Sequence, residues 1–118
     1  MKIAVTGMAS LEGAAYDAPM TSTYLFISFD ARPEAARDFA ALLDQVRQQL
    51  PNVPGCRGAR VFAHAEMPQR FCVLEEWDST ASHQAHIDRV VASGEWEHIR
   101  AHLSVDPTSF YLHDTHSG

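Results

Sequence analysis

Over residues 23–30 the chain repeats with a period of two, the mark of a strand. Tyr24, Phe26 and Ser28 share one face of it and Leu25, Ile27 and Phe29 the other. Both faces are partly apolar, so this strand is expected to be covered on both sides. The period then changes to three and four: Phe39, Leu42, Leu43, Val46 and Leu50 form one stripe, with Arg37, Asp38, Asp44, Arg47 and Gln48 opposite. Pro33 suits the first turn of that helix, Glu34 its positive end, and Pro51 its stop. Pro54-Gly55 turns the chain into a second strand, residues 57–65. Ala59, Val61, Ala63 and Ala65 make one small-residue face of it; Arg60, Phe62 and His64 make the other, which is suited to lining a cavity.

Met67-Pro68-Gln69 closes a hairpin onto residues 71–77, where Phe71, Val73, Glu75 and Trp77 share a face and Cys72, Leu74 and Glu76 take the other. Asp78, Ser79 or Thr80 caps the next helix, on which His83, His86, Ile87 and Val90 follow at helical spacing. Ser93-Gly94 interrupts it. A helical stretch over 95–103 turns Trp96, Ile99 and Leu103 inward, and residues 109–113 form a last strand. The order βαββαβ predicts a ferredoxin-like α+β fold, an antiparallel four-stranded sheet with helices on one face. Phe62, Trp77 and either Tyr24 or Leu25 are expected on the bare face. Two copies pairing there would bury that patch, which predicts a homodimer.

The domain so defined spans residues 23–113, after a leader of 1–22 (a short strand over 2–8 or a mobile arm) and before a polar tail of 114–118. At 118 residues the chain is one domain with a sizeable core. Net charge of −6 speaks against nucleic acid, which needs a basic footprint. No apolar run approaches the ~20 residues of a membrane span, and the N-terminal run breaks at Thr6-Gly7, unlike a signal peptide. The cytoplasm is the expected address. Cys56 and Cys72 flank the hairpin, and with its turn at residues 66–69 Cys72 would sit opposite Ala63, too far from Cys56 for a disulfide. The opening Lys-Ile-Ala-Val-Thr-Gly lacks both the three-glycine dinucleotide fingerprint and a phosphate-loop Gly-Lys.

Pro54-Gly55-Cys56, then Phe71-x-Val73-x-Glu75-x-Trp77, then His86 nine positions after Trp77 resemble the antibiotic biosynthesis monooxygenase family, dimeric α+β barrels that include quinol monooxygenases and haem-degrading enzymes. The resemblance covers nearly all of the chain beyond the leader. It implies oxygenation of a hydroquinone-, phenol- or anthrone-like ring by O2 with no metal or flavin, the deprotonated ring supplying the electrons. Two departures stand out. The stretch from His86 to Trp96 is about a turn longer than the family's. The haem-degrading branch carries an Asn on its first strand, whereas the single Asn here is Asn52, in a loop; His86 stands where that branch has Trp, and Arg100 near its later His.

His86 is the natural base, because imidazole titrates near neutral pH. Trp77 would stack on the ring, Arg60 or His64 would hold an oxyanion, and Phe62 and Tyr24 would line the pocket. Each has a plainer reading: Trp77 as core closure, His86 as a strand-end or subunit hydrogen bond, Arg60 as a solvated strand residue. Glu75 reads as an ion-pair or dimer-contact residue, although its parity with Trp77 admits a pocket role. His98 and His102 lie one turn apart, as do His83 and His86, but no third ligand at metal-site spacing accompanies either pair. No nucleophile elbow is present. Besides a cofactor-free monooxygenase, a non-catalytic binding or regulatory barrel and a haem-degrading monooxygenase remain as alternatives.

Overall fold

A computed structural model describes residues 21–115; the expectations for the leader before residue 21 lie outside them. The elements run β1 (Thr23–Asp30), a 3-10 turn (Pro33–Ala35), α1 (Ala36–Gln49), a second 3-10 turn (Leu50–Asn52), β2 (Cys56–Ala63), β3 (Arg70–Trp77), α2 (Thr80–Ala92), α3 (Glu95–Arg100) and β4 (Thr108–His113). The strands lie in the order β2-β3-β1-β4, every pair antiparallel. This is the expected ferredoxin-like α+β sheet, with its helices on one face.

Alternation decides which side chains meet the helices. Leu25, Ile27 and Phe29 of β1 and Phe71, Val73 and Trp77 of β3 are buried there, against Phe39 and Leu43 of α1, Val90 of α2 and Trp96 of α3. The Phe39 ring stands edge-on to Phe29 and Phe71, with centroids 5.2 and 5.8 Å away. α3 is shorter than its apolar pattern, ending at Arg100. The chain then tightens through 3-10 bonds from His102 to Ile99 and from Leu103 to Arg100, and Leu103 bridges Ala31 beyond β1.

Gly55 and Ser79 fix the start of α2. Ser79 is the cap, its hydroxyl accepting from the Ser82 amide at 3.1 Å. The Gly55 carbonyl accepts from the Asp78 amide at 2.8 Å, and Gly55 itself has φ +91°. A Cβ there would stand 2.5 Å from Ser82. Gly55→Ala therefore combines backbone strain with an overlap, and a urea melt should show destabilisation of about 1–3 kcal/mol. Wild-type stability in that variant would contradict the role given to this close approach.

The hairpin differs from expectation by one residue. Cys72 sits opposite Phe62, not Ala63, and β2 ends at Ala63. The cause is His64: its Nδ1 accepts from the amides of Glu66 and Met67 at 3.0 and 3.1 Å, while its own amide donates to Arg70 O at 2.9 Å. Ala65 is thus drawn into the loop. Arg60 and Phe62 face away from the helices, as expected for Phe62, but a slip of one residue turns the side chains of one strand over relative to its neighbour. Trp77, expected beside Phe62 on the bare face, is on the helix side with no exposure. Of Tyr24 and Leu25 it is Tyr24 that lies on the bare face, paired with Glu76 and Leu112.

That bare face is nonetheless apolar. Phe26 stacks on Phe110 at 5.2 Å, and Phe62, Phe110 and Leu112 are 40%, 49% and 41% exposed. The Arg60 guanidinium lies over the Phe62 ring, 5.1 Å from its centre.

Candidate functional site

One end of the helix-facing side of the sheet is polar. Two cross-strand rows place it: Thr23 of β1 lies between Trp77 and His113, and Leu25 lies between Glu75 and Tyr111. The short turn after Trp77 brings α2 directly over these rows, so His83 and His86, one turn apart, come down beside the indole. The Trp77 ring centre is 5.3 Å from that of His83, edge-on, and 5.4 Å from that of His86, tilted by 33°. The Tyr111 ring stands perpendicular to His83 at 5.4 Å, with its hydroxyl 2.5 Å from His83 Nδ1. The Trp77 indole N–H donates to Glu75 Oε1 at 2.9 Å.

Trp77, Glu75 and His83 are buried, at 0%, 6% and 1% exposure, while His86 and Tyr111 are half-buried. Burial governs their protonation. It pushes the Glu75 carboxyl up to about 7, against a smaller opposing effect of the Trp77 hydrogen bond. It pulls His83 down to about 4, with the neighbouring His86 adding to the effect. His86 is lowered from the usual 6.5 by desolvation and then by Arg89. Tyr111 is raised to about 12 by burial and by Glu75. At neutral pH both imidazoles are therefore neutral and Tyr111 is a phenol. His83 Nε2 is buried and has no hydrogen-bond partner among the described residues; the Trp96 indole N–H in the α3 core shares that condition.

The site residues expected from sequence divide among three places. Trp77 and His86 come together here. Tyr24, Arg60 and Phe62 lie on the opposite face of the sheet and cannot line the same pocket. His64 is occupied in the hairpin turn, roughly 25 Å along β2 from the end that pairs with Trp77. Glu75, for which sequence suggests an ion-pair or dimer contact and parity with Trp77 a pocket role, accepts from the Trp77 indole. His83 and Tyr111 were not foreseen as site residues. The available signals were the parity of Glu75 with Trp77 and the spacing of His83 from His86; Tyr111 gave none, because its face depends on the pairing of β4 with β1.

Two further features lie elsewhere. His98 and His102 have ring centres 5.2 Å apart, with His102 Nδ1 bonded to the His98 carbonyl, and no group of three or more His, Cys, Asp or Glu side chains placed to hold a metal occurs among the described residues. A groove of about 600 Å³ lined by Glu97, Arg100, Leu103, Val105 and Asp106 lies near the Asp30 end of β1, opposite the end that carries Trp77. It contains none of the shifted groups, so the chemistry is sought at the Trp77 end.

The family model for antibiotic biosynthesis monooxygenases matches residues 23–104. The chain belongs to that family. No curated protein matches it significantly. Among solved structures it is similar to a protein of unknown function from Nitrosomonas europaea, with TM-score 0.70 and 20% identity over 86% of this chain and 96% of that one. It is also similar to a conserved protein from Methanosarcina mazei Go1, with TM-score 0.69 and 19% identity over 80% and 93% of the two chains. An antibiotic biosynthesis monooxygenase gives TM-score 0.62 and 22% identity over 76% and 95%. These likenesses extend to the fold. Among the described residues no helix is long and apolar enough to cross a membrane.

Proposed function

We propose that this protein is a cofactor-independent monooxygenase that oxidises a small hydroquinone-, phenol- or anthrone-like ring with O2 between the sheet and α2. The observation that carries the reading is the pair of tilted rings, Trp77 and a neutral His86, at the one polar end of the helix-facing side. The indole offers a π surface for an aromatic ring. The imidazole, held below its usual pKa, is free to take the proton of a ring hydroxyl, and the electron-rich anion then reduces O2 directly. For a hydroquinone the balance is one ring and one O2 giving a hydroxyquinone and one water: the ring gains one oxygen atom and gives up two hydrogens.

A homodimer belongs to the same reading. The exposed Phe62, Phe110 and Leu112 make a patch that a second copy would cover face to face. Wild-type protein at micromolar concentration should sediment as a dimer, and Phe110→Glu as a monomer; a monomeric wild type would remove the dimer. A cytoplasmic setting agrees with the two free thiols, Cys56 and Cys72.

The test is oxygen uptake by chelator-treated protein across a panel of hydroquinones, phenols and anthrones. Saturable consumption with at least one ring is expected. Binding of a ring without consumption would point instead to a non-catalytic binding barrel, and a Soret band on adding haemin, bleached under reductant, to haem degradation.

A further inference from the structure

His83 is the most buried polar side chain of the cluster and the reaction as proposed leaves it without a task. Its ring is held on two sides, by the Tyr111 hydroxyl at Nδ1 and by the edge of the Trp77 indole. A phenol is the stronger acid and an imidazole nitrogen the stronger base, so the Tyr111 O–H donates and Nδ1 accepts. The imidazole's own proton is then on Nε2, the atom with no partner. A buried N–H is almost always paired, so a fixed donor of this kind calls for an acceptor beyond the described residues, and the oxygen of a bound ring is one.

We propose that the His83 Nε2–H, oriented by Tyr111, donates to the oxyanion of a phenolate-type ring whose proton His86 has taken. The inference rests on the reading of this cluster as a ring site. The ring O–H bond breaks, its proton goes to the free nitrogen of His86, and the charge left on oxygen meets Nε2–H one helical turn away. His83 does not compete for that proton, since burial pulls it down to about 4 and its Nδ1 already accepts from Tyr111. The titratable groups facing it are Tyr111 on β4 and His86 on α2, with Glu75 on β3 acting on Tyr111 and Arg89 on α2 acting on His86. Tyr111 is a positioning residue in this scheme. The role expected of Arg60 or His64 passes to His83, because those two lie on the far face and in the hairpin turn.

The first measurement needs no variant: nitrogen-15 NMR of the labelled full-length protein reports the tautomer of His83. Protonation on Nε2 is expected, with mixed tautomers in Tyr111→Phe; protonation on Nδ1 in the wild type would overturn the proposal. The second uses 4-nitrophenol, whose anion has its own absorption band. Bound to the wild type it should ionise about one pH unit lower than in solution, a tenfold shift toward the anion. That shift should vanish in His83→Phe. No binding by the wild type, an unshifted bound probe, or an equal shift in the variant would each overturn it. Oxygen uptake with an unshifted probe would retain the monooxygenase and remove His83 from it. A shifted probe without oxygen uptake would retain the His83 site and remove the monooxygenase.

Discussion

His86→Ala should lower kcat by about 10²–10⁴-fold, the range over which a positioned base accelerates proton transfer. The side chain is half-buried on α2 and has no side-chain hydrogen bond among the described residues, so a matched thermal melt should show little loss of stability. The ring surface of Trp77 remains, so KM should change far less than kcat. The pH profile separates this role from a structural one. His86 titrates below 6.5 through desolvation and then Arg89, so wild-type kcat/KM should fall only as the pH drops below that value. His86→Ala should lose that acid limb. A variant that keeps both the rate and the limb would assign the proton to another group.

Glu75→Gln should gain stability relative to wild type as the pH rises, by about 3 kcal/mol between pH 4.5 and 7.5. The sign follows from where protons sit. With a folded pKa of about 7 against an ordinary 4.5, the folded chain holds a proton on Glu75 that the unfolded chain has released, so stability declines across that interval and levels off above it. Glutamine removes the decline and still offers Trp77 an acceptor oxygen. His83 works in the opposite direction: its pKa of about 4 against 6.5 means that the unfolded chain binds the extra proton, so its contribution is lost as the pH falls through that window. The two effects are similar in size and largely cancel in the wild type. Glu75→Gln should therefore expose a stability that rises from pH 4 to 6.5, and His83→Phe one that falls from pH 4.5 to 7. Urea melts across pH check both, and parallel curves for wild type and Glu75→Gln would mean that Glu75 is ionised when folded.

The order of elements was legible because alternating and helical periods change cleanly at Pro33, Pro54-Gly55 and Asp78-Ser79. Trp77 and His86 were legible for a local reason: a strand end, a cap and a helix within ten residues leave little freedom in how they meet. Phe62 was expected on the bare face and lies there with Arg60, whereas Trp77, expected beside it, lies on the helix side and His64 is in the hairpin turn. Parity within a strand can be read from sequence, but the face it points to depends on register. Here the register was set by one imidazole accepting two turn amides, which lengthened the hairpin loop by a residue. Tyr111 required the pairing of the first and last strands, and no short-range pattern encodes that.

A crystal structure with a bound hydroquinone decides which side of the sheet receives a ring. The ring should lie within about 4 Å of both Trp77 and His86, with a hydroxyl oxygen toward His83 Nε2. A ring seated against Phe62 and Arg60 on the other face, with the Trp77 end packed closed, would contradict the proposed site.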